Sequence, residues 1–223
     1  MSSTLVSASL LSADILNLEK DLKSAEESYI DWHHVDVMDG HFVPNLTFGP
    51  PLVHALKKVS KLPLDVHLMI SNPEEVLSQY LEAGADCLTF HVEATKNQKN
   101  LLQKIRNHGA RSGLSLKPKT SVKEILPYLE DLDLILIMSV EPGFSGQNFL
   151  PDSIKKIEEL RNLLKKYHLE KKILISVDGG VSDQNAKALT QAGARCLVTG
   201  SYFYKAKDRK QSVAALKQYS LEV

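Results

Sequence analysis

Short apolar runs alternate along this 223-residue chain with longer amphipathic stretches, and that alternation restricts the fold more than any other feature. The strand-like runs fall at residues 5–9, 32–38, 64–69, 86–91, 111–116, 133–140, 172–177 and 195–199, eight in all. Between them, stretches such as Asn17 to Ser28, Pro73 to Ala83, Ser121 to Leu129 and Pro151 to Tyr167 carry apolar residues at helical spacing. Three helix-to-strand joints share one device, in E-A-G-A-D-C-L, N-H-G-A-R-S-G-L and Q-A-G-A-R-C-L. A Gly just past a helix end takes the left-handed conformation that stops the helix, and the chain turns straight into the next strand. Eight such units with no low-complexity linker predict an α/β fold, a single (β/α)8 TIM barrel over residues 1–223. An open flavodoxin-like sheet would need fewer strands. With 43% hydrophobic residues the chain can bury one sizeable core, which fits better than two small domains.

Composition removes several classes of function. Lys and Arg number 27 against 27 Asp and Glu, so the broad basic footprint of a nucleic-acid-binding protein is missing, although a local phosphate site is not excluded. No apolar run approaches a membrane span, and Met1 to Ser12 lacks the pattern of a secretory signal, so a cytosolic protein is expected. Cys87 and Cys196 lie in unrelated strand-like runs without C-x-x-C spacing and are read as buried, reduced thiols.

Two of the strand runs carry chemistry. His34, Asp36 and Met38 alternate in W-H-H-V-D-V-M-D-G, and Asp65, His67 and Met69 alternate in P-L-D-V-H-L-M-I. Side chains at i, i+2 and i+4 of a strand share a face, so each run puts a His, an Asp and a Met on one side. Ionisable groups aligned inward need compensation for desolvation, and a divalent metal supplies it most economically. A lone strand His is commonly a satisfied core residue, but recurrence beside acids on two adjacent strands weighs against that reading. In a barrel, residues at the carboxyl ends of strands face the active site. His34 and Asp36 are expected at the end of the second strand, His67 at the end of the third, and Asp178 after the seventh in I-L-I-S-V-D-G-G. These two imidazoles and two carboxylates suit zinc first, with iron, manganese or cobalt accepted by the same donors. Alternation turns His33 the other way.

A second constellation is rich in glycine. E-P-G-F-S-G-Q holds Gly143, Phe144, Ser145 and Gly146; V-D-G-G-V-S holds Gly179 and Gly180; V-T-G-S holds Gly200 and Ser201. Each alone reads as a tight turn. On three successive loops after strands six to eight they predict a backbone cradle for a phosphate, which an uncharged protein could build without a lysine cluster. Met38, Met69 and Met138 lie at or near strand ends; they are either core filler or a polarizable, proton-free ceiling over a reactive anion.

These residues carry a family likeness. The chain resembles the ribulose-phosphate 3-epimerases nearly end to end, through S-A-S-L-L-S-A-D, H-V-D-V-M-D-G-H-F-V-P-N-L-T-F-G-P, D-V-H-L-M-I, M-S-V-E-P-G-F-S-G-Q and V-D-G-G-V. The resemblance implies a barrel of the ribulose-phosphate-binding type and interconversion of D-ribulose 5-phosphate and D-xylulose 5-phosphate in the pentose phosphate pathway. It implies one divalent metal on His34, Asp36, His67 and Asp178, with Asp36 and Asp178 doubling as the proton-transfer groups. By the same likeness Ser9, His67 and Asp178 touch the substrate, Gly143 to Gly146, Gly179, Gly180, Gly200 and Ser201 hold its phosphate end, and the protein is a homo-oligomer. Three positions depart from the family pattern. Ser145 stands where a second glycine is usual, Ala8 where proline precedes the serine, and Tyr202 where a small residue follows G-S. An amide still donates from Ser145 if its φ is negative, so the change bears on the loop's shape.

The chemistry that the resemblance implies also fits the residues. Inverting a carbon next to a ketone takes one base per face, and Asp36 and Asp178 approach the barrel mouth from separate strands. Related readings are an epimerase of allulose 6-phosphate and a non-catalytic barrel that binds metal or sugar phosphate. A decarboxylase of the same barrel type calls for an Asp-x-Lys-x-x-Asp array, which this chain lacks. Gly143 to Gly146 could close over substrate as a lid.

Overall fold

The structure is a computed structural model, and it describes residues 4–219. Eight parallel strands close into a barrel in sequence order: β1 (Leu5–Ser9), β2 (Trp32–Met38), β3 (Leu64–Met69), β4 (Cys87–His91), β5 (Arg111–Leu116), β6 (Leu134–Met138), β7 (Leu174–Asp178) and β8 (Cys196–Thr199). Closure is made by β1 against β8, with Leu5 opposite Cys196 and Ala8 opposite Thr199. All eight expected strands form, with small changes at their ends. The run 133–140 contributes only Leu134–Met138, and Asp178 is the last residue of β7 rather than a residue beyond it. His34 and His67 sit within β2 and β3, which continue to Met38 and Met69. The terminal residues 1–3 and 220–223 of the expected domain lie outside the described residues.

Helices α1 (Leu18–Glu27), α2 (Pro50–Val59), α3 (Pro73–Glu82), α4 (Gln98–His108), α5 (Asp152–Lys166), α6 (Asp183–Ala192), α7 (Ser201–Tyr204) and α8 (Arg209–Lys217) connect the strands. Their apolar faces meet the outward-pointing strand residues, such as Val35, Val66, Leu88, Leu114 and Ile135, in one continuous core. A smaller cluster of Trp32, Cys87, Leu134, Leu136, Met138, Cys196 and Val198 packs separately. Both cysteines are free and buried. The stretch expected to be helical at Ser121 to Leu129 is instead a 3-10 run, Val122–Asp131. Pro127 lies inside it, and proline removes a donor and clashes with the turn an α-helix would need. At the three glycine joints Gly84, Gly109 and Gly193 have φ of 106°, 92° and 133°, the backbone region expected of them.

Candidate active site

The two alternating runs pair residue for residue. In the β2–β3 register His34 lies opposite Asp65, Asp36 opposite His67, and Met38 opposite Met69. All six side chains are buried. Ligand atoms of His34, Asp36, His67 and Asp178 lie within 4.8 Å of one another.

Hydrogen bonds decide which atoms face that centre. His34 Nδ1 donates to Asp65 Oδ2 at 2.7 Å, so the lone pair of its neutral ring sits on Nε2. That Nε2 has no hydrogen-bond partner although it lies 3.3 Å from Asp36 Oδ1. His91 Nδ1 lies 3.2 Å from Glu93 Oε2 and donates to it, so His91 Nε2 accepts from His67 Nε2 at 3.0 Å. His67 therefore turns Nδ1 inward, 3.2 Å from Asp36 Oδ1. Ser9 Oγ donates to the other oxygen of Asp36 at 2.6 Å. Two bare imidazole nitrogens thus converge beside one carboxylate oxygen, an arrangement that calls for a shared cation.

Electrostatics point the same way. Burial disfavours charge on His34, yet Asp36 and Asp65 outweigh it and push its pKa well above the usual value, so the centre draws positive charge onto Nε2, as a proton or in its place a metal ion. Burial would raise Asp36, but His34 and His67 hold it far below the ordinary carboxylate range. Asp178 is pushed up to about 7 by burial and by the charge of Asp36. Carboxylates this close cannot both ionise freely without added positive charge, so the donor set fits a divalent metal.

Above this centre opens a pocket. Ser9, Asp36, Asp178 and the three methionines Met38, Met69 and Met138 line its depth, and Gly143 to Gly146, Gly179, Gly180, Gly200 and Ser201 line its rim. All the expected substrate and phosphate positions except His67 therefore border one cavity, with His67 and His34 buried beneath it. Gly180 has φ of 63°, and a Cβ there would stand 2.6 Å from Phe149 N. A Cβ on Gly179 would stand 2.8 Å from Val140 N. Glycine lets the turn after β7 pack against the loop after β6. Ser139 clamps that turn: its Oγ donates to the carbonyls of Asp178 at 2.9 Å and Gly179 at 2.7 Å. Ser145 is not among the residues with positive φ, so its departure from glycine costs no backbone strain; its Oγ meets Ser12 Oγ at 3.2 Å. The loop after β6 is tied to the loop after β2 through Asn45 Nδ2, which donates to the Gly143 carbonyl at 3.0 Å.

Several participants escape a reading of the sequence. Asp65 appears in the alternation and Ser139 in M-S-V-E-P-G-F-S-G-Q without a role, and His91 and Glu93 carry no motif of their own. The signal for Asp65 and His91 exists only once neighbouring strands are in register. His33 points away from the centre, with Nε2 3.4 Å from Glu26 Oε1.

Fold and site together define a (β/α)8 barrel whose metal-competent centre of two His and two Asp faces a pocket rimmed by glycine-rich loops. Comparison with known proteins narrows this class. The ribulose-phosphate 3-epimerase family model matches residues 5–204. A ribulose-phosphate 3-epimerase of Mycobacterium bovis is 44% identical over 214 residues, 96% of this chain and 92% of that one. The Bacillus subtilis ribulose-phosphate 3-epimerase is 42% identical over 212 residues, 95% of this chain and 97% of its own. Among solved structures, 3-keto-L-gulonate-6-phosphate decarboxylase from Vibrio cholerae shares the fold, with a TM-score of 0.72 at 14% identity over 98% of this chain and 97% of that one. The chain belongs to the ribulose-phosphate 3-epimerase family.

Proposed function

We propose that this protein interconverts D-ribulose 5-phosphate and D-xylulose 5-phosphate by moving one proton at C3, with Asp36 and Asp178 as the two proton carriers. The observation that carries this reading is the convergence of the His34, Asp36, His67 and Asp178 ligand atoms within 4.8 Å. Backbone amides of Gly179, Gly180, Gly200 and the loop Gly143 to Gly146 hold the phosphate, which fixes the carbon presented to the carboxylates. One carboxylate takes the hydrogen from C3, the electron pair spreads over C2, C3 and their oxygens as an enediolate, and the other carboxylic acid returns a proton to the opposite face. In the reverse direction the roles exchange. Ser9 Oγ orients Asp36 through its 2.6 Å hydrogen bond. Met38, Met69 and Met138 cover the intermediate with surface that offers no proton. His34 Nε2, His67 Nδ1 and oxygens of Asp36 and Asp178 would hold one divalent cation, zinc first, whose charge supplies Lewis-acid stabilisation to the oxygens of the enediolate.

The test is turnover of ribulose 5-phosphate by purified protein as isolated, after chelation, and after return of zinc or iron. Activity lost on chelation and restored by metal supports reaction, substrate and cofactor together; an inert protein that stays folded in every metal sinks the reading. One domain, a cytosolic location and a homo-oligomer complete the proposal. Among the described residues no helix is long and apolar enough to cross a membrane. Leu16 and Leu46, 93% and 74% exposed on the loops after β1 and β2, are apolar surface that a second copy could cover. Light scattering that gives the mass of a single chain would remove the oligomer.

A further inference from the structure

The opposite end of the barrel carries a second recess, where the strands begin. Trp32 opens β2, Arg111 opens β5, and Arg195 precedes β8 by one residue. A cavity of about 540 Å³ lies there, walled by Arg106, Arg111, Lys172 and Arg195 against a single carboxylate, Asp133. That volume is within the range of small-molecule sites.

The charges in the wall do not cancel. Asp133 Oδ2 already accepts from the Ser112 amide at 3.0 Å, while the Ser112 hydroxyl lies 2.5 Å from the Asp131 carbonyl and 3.1 Å from Asp133 Oδ2. Lys172 Nζ and Arg106 Nη1 both donate to the Glu130 carbonyl, at 2.6 Å and 2.8 Å, and the closest carboxylate contact of Arg106 is Asp131 at 3.9 Å. Arg195 Nη2 reaches only the Ile173 carbonyl at 3.1 Å, and burial lowers its pKa. Arg111 stacks over the Trp32 ring at 5.2 Å. Among the described residues Arg111, Lys172 and Arg195 form no ion pair with any carboxylate. Each guanidinium keeps most of its five N–H donors free for a ligand. A chain of zero formal net charge has thus collected a surplus of cations around one concave floor.

We infer that this recess binds a small anion carrying at least two negative charges, separately from the sugar-phosphate site at the other end. Phosphate and carboxylate groups both match the guanidinium fork, and two probes, pyrophosphate and citrate, distinguish them. Trp32 is the only tryptophan in the chain, so its fluorescence reports this recess and not the catalytic pocket. Titration of the metal-loaded enzyme at constant ionic strength is expected to give a saturable change in emission with at least one probe. Arg195→Gln, which leaves the Arg111–Trp32 stack in place, is expected to raise the dissociation constant about tenfold, as loss of a charge-assisted bond does. Arg111→Gln is expected to do the same, while kcat and KM for ribulose 5-phosphate stay at their starting values in both variants. A response to pyrophosphate alone narrows the ligand to phosphates, and one to citrate alone narrows it to carboxylates. No saturable change with either probe, or a change that survives both substitutions, overturns the inference.

Discussion

Asp65 and His91 determine the chemistry of the centre without belonging to its donor set. Asp65 accepts a hydrogen bond from His34 Nδ1, and His91 accepts one from His67 Nε2, so each imidazole turns its other nitrogen inward. Partners of this kind raise ligand basicity and fix the ring, and their loss typically weakens metal affinity about 10–100-fold. We expect Asp65→Ala to lower zinc affinity by that order in competition with a chelator, with the far-UV spectrum retained; unchanged affinity would remove Asp65 from the scheme. Asp36→Asn and Asp178→Asn address a different step. Each is expected to cut kcat by about 10²–10⁴-fold or more, the usual share of a positioned acid or base, without unfolding the protein. Turnover near the starting level in either variant would defeat the two-base scheme.

Between elements, the strongest constraint is how closely the loop after β7 approaches the loop after β6. A methyl group on Gly180 would stand 2.6 Å from Phe149 N, on a backbone with φ of 63°. Gly180→Ala is therefore expected to push the loops apart and raise KM for the sugar phosphate more than it lowers kcat, measurable by steady-state kinetics at fixed metal. Most of this architecture is legible in the sequence. Each strand announces itself by a compact apolar run, and three of the helix ends by a glycine at Gly84, Gly109 and Gly193, because those signals are local. The 3-10 run Val122–Asp131 was less so: its apolar spacing is helical, while Pro127 forbids the matching hydrogen bonds. The two alternating runs disclosed His34, Asp36 and His67 because side-chain alternation belongs to a single strand. The roles of Asp65 and His91 stayed silent because their partners His34 and His67 lie on neighbouring strands, and register across a sheet is no property of one segment; Glu93 is tied to the distant Lys117 and Thr120 as well as to His91. The loops at the pocket rim are readable as glycine positions, but the clamp by Ser139 depends on where β6 ends relative to β7.

Across the whole molecule, Glu93 joins the end of β4 to the segment after β5. Its carboxylate accepts from His91 Nδ1, the Lys117 amide at 2.9 Å and the Thr120 hydroxyl. Burial opposes its charge, yet these bonds lower its pKa from 4.5 to about 2. The unfolded chain then takes up a proton at higher pH than the native one. The contribution of Glu93 is complete above 4.5 and is lost as pH falls towards 2. Glu93→Gln should lower Tm at neutral pH, with the gap from the parent narrowing through that acid window; a gap that does not change with pH would assign the loss to packing. Barrel closure has a consequence in time as well. Ser9 stands on the first strand, which pairs with the last, and Gly200 and Ser201 follow that last strand. A ribosome delivers these parts at opposite ends of its work, so β1 waits with an open edge until β8 emerges. The sugar therefore has no half-built site to enter, and a chain cut after β7 would turn over nothing.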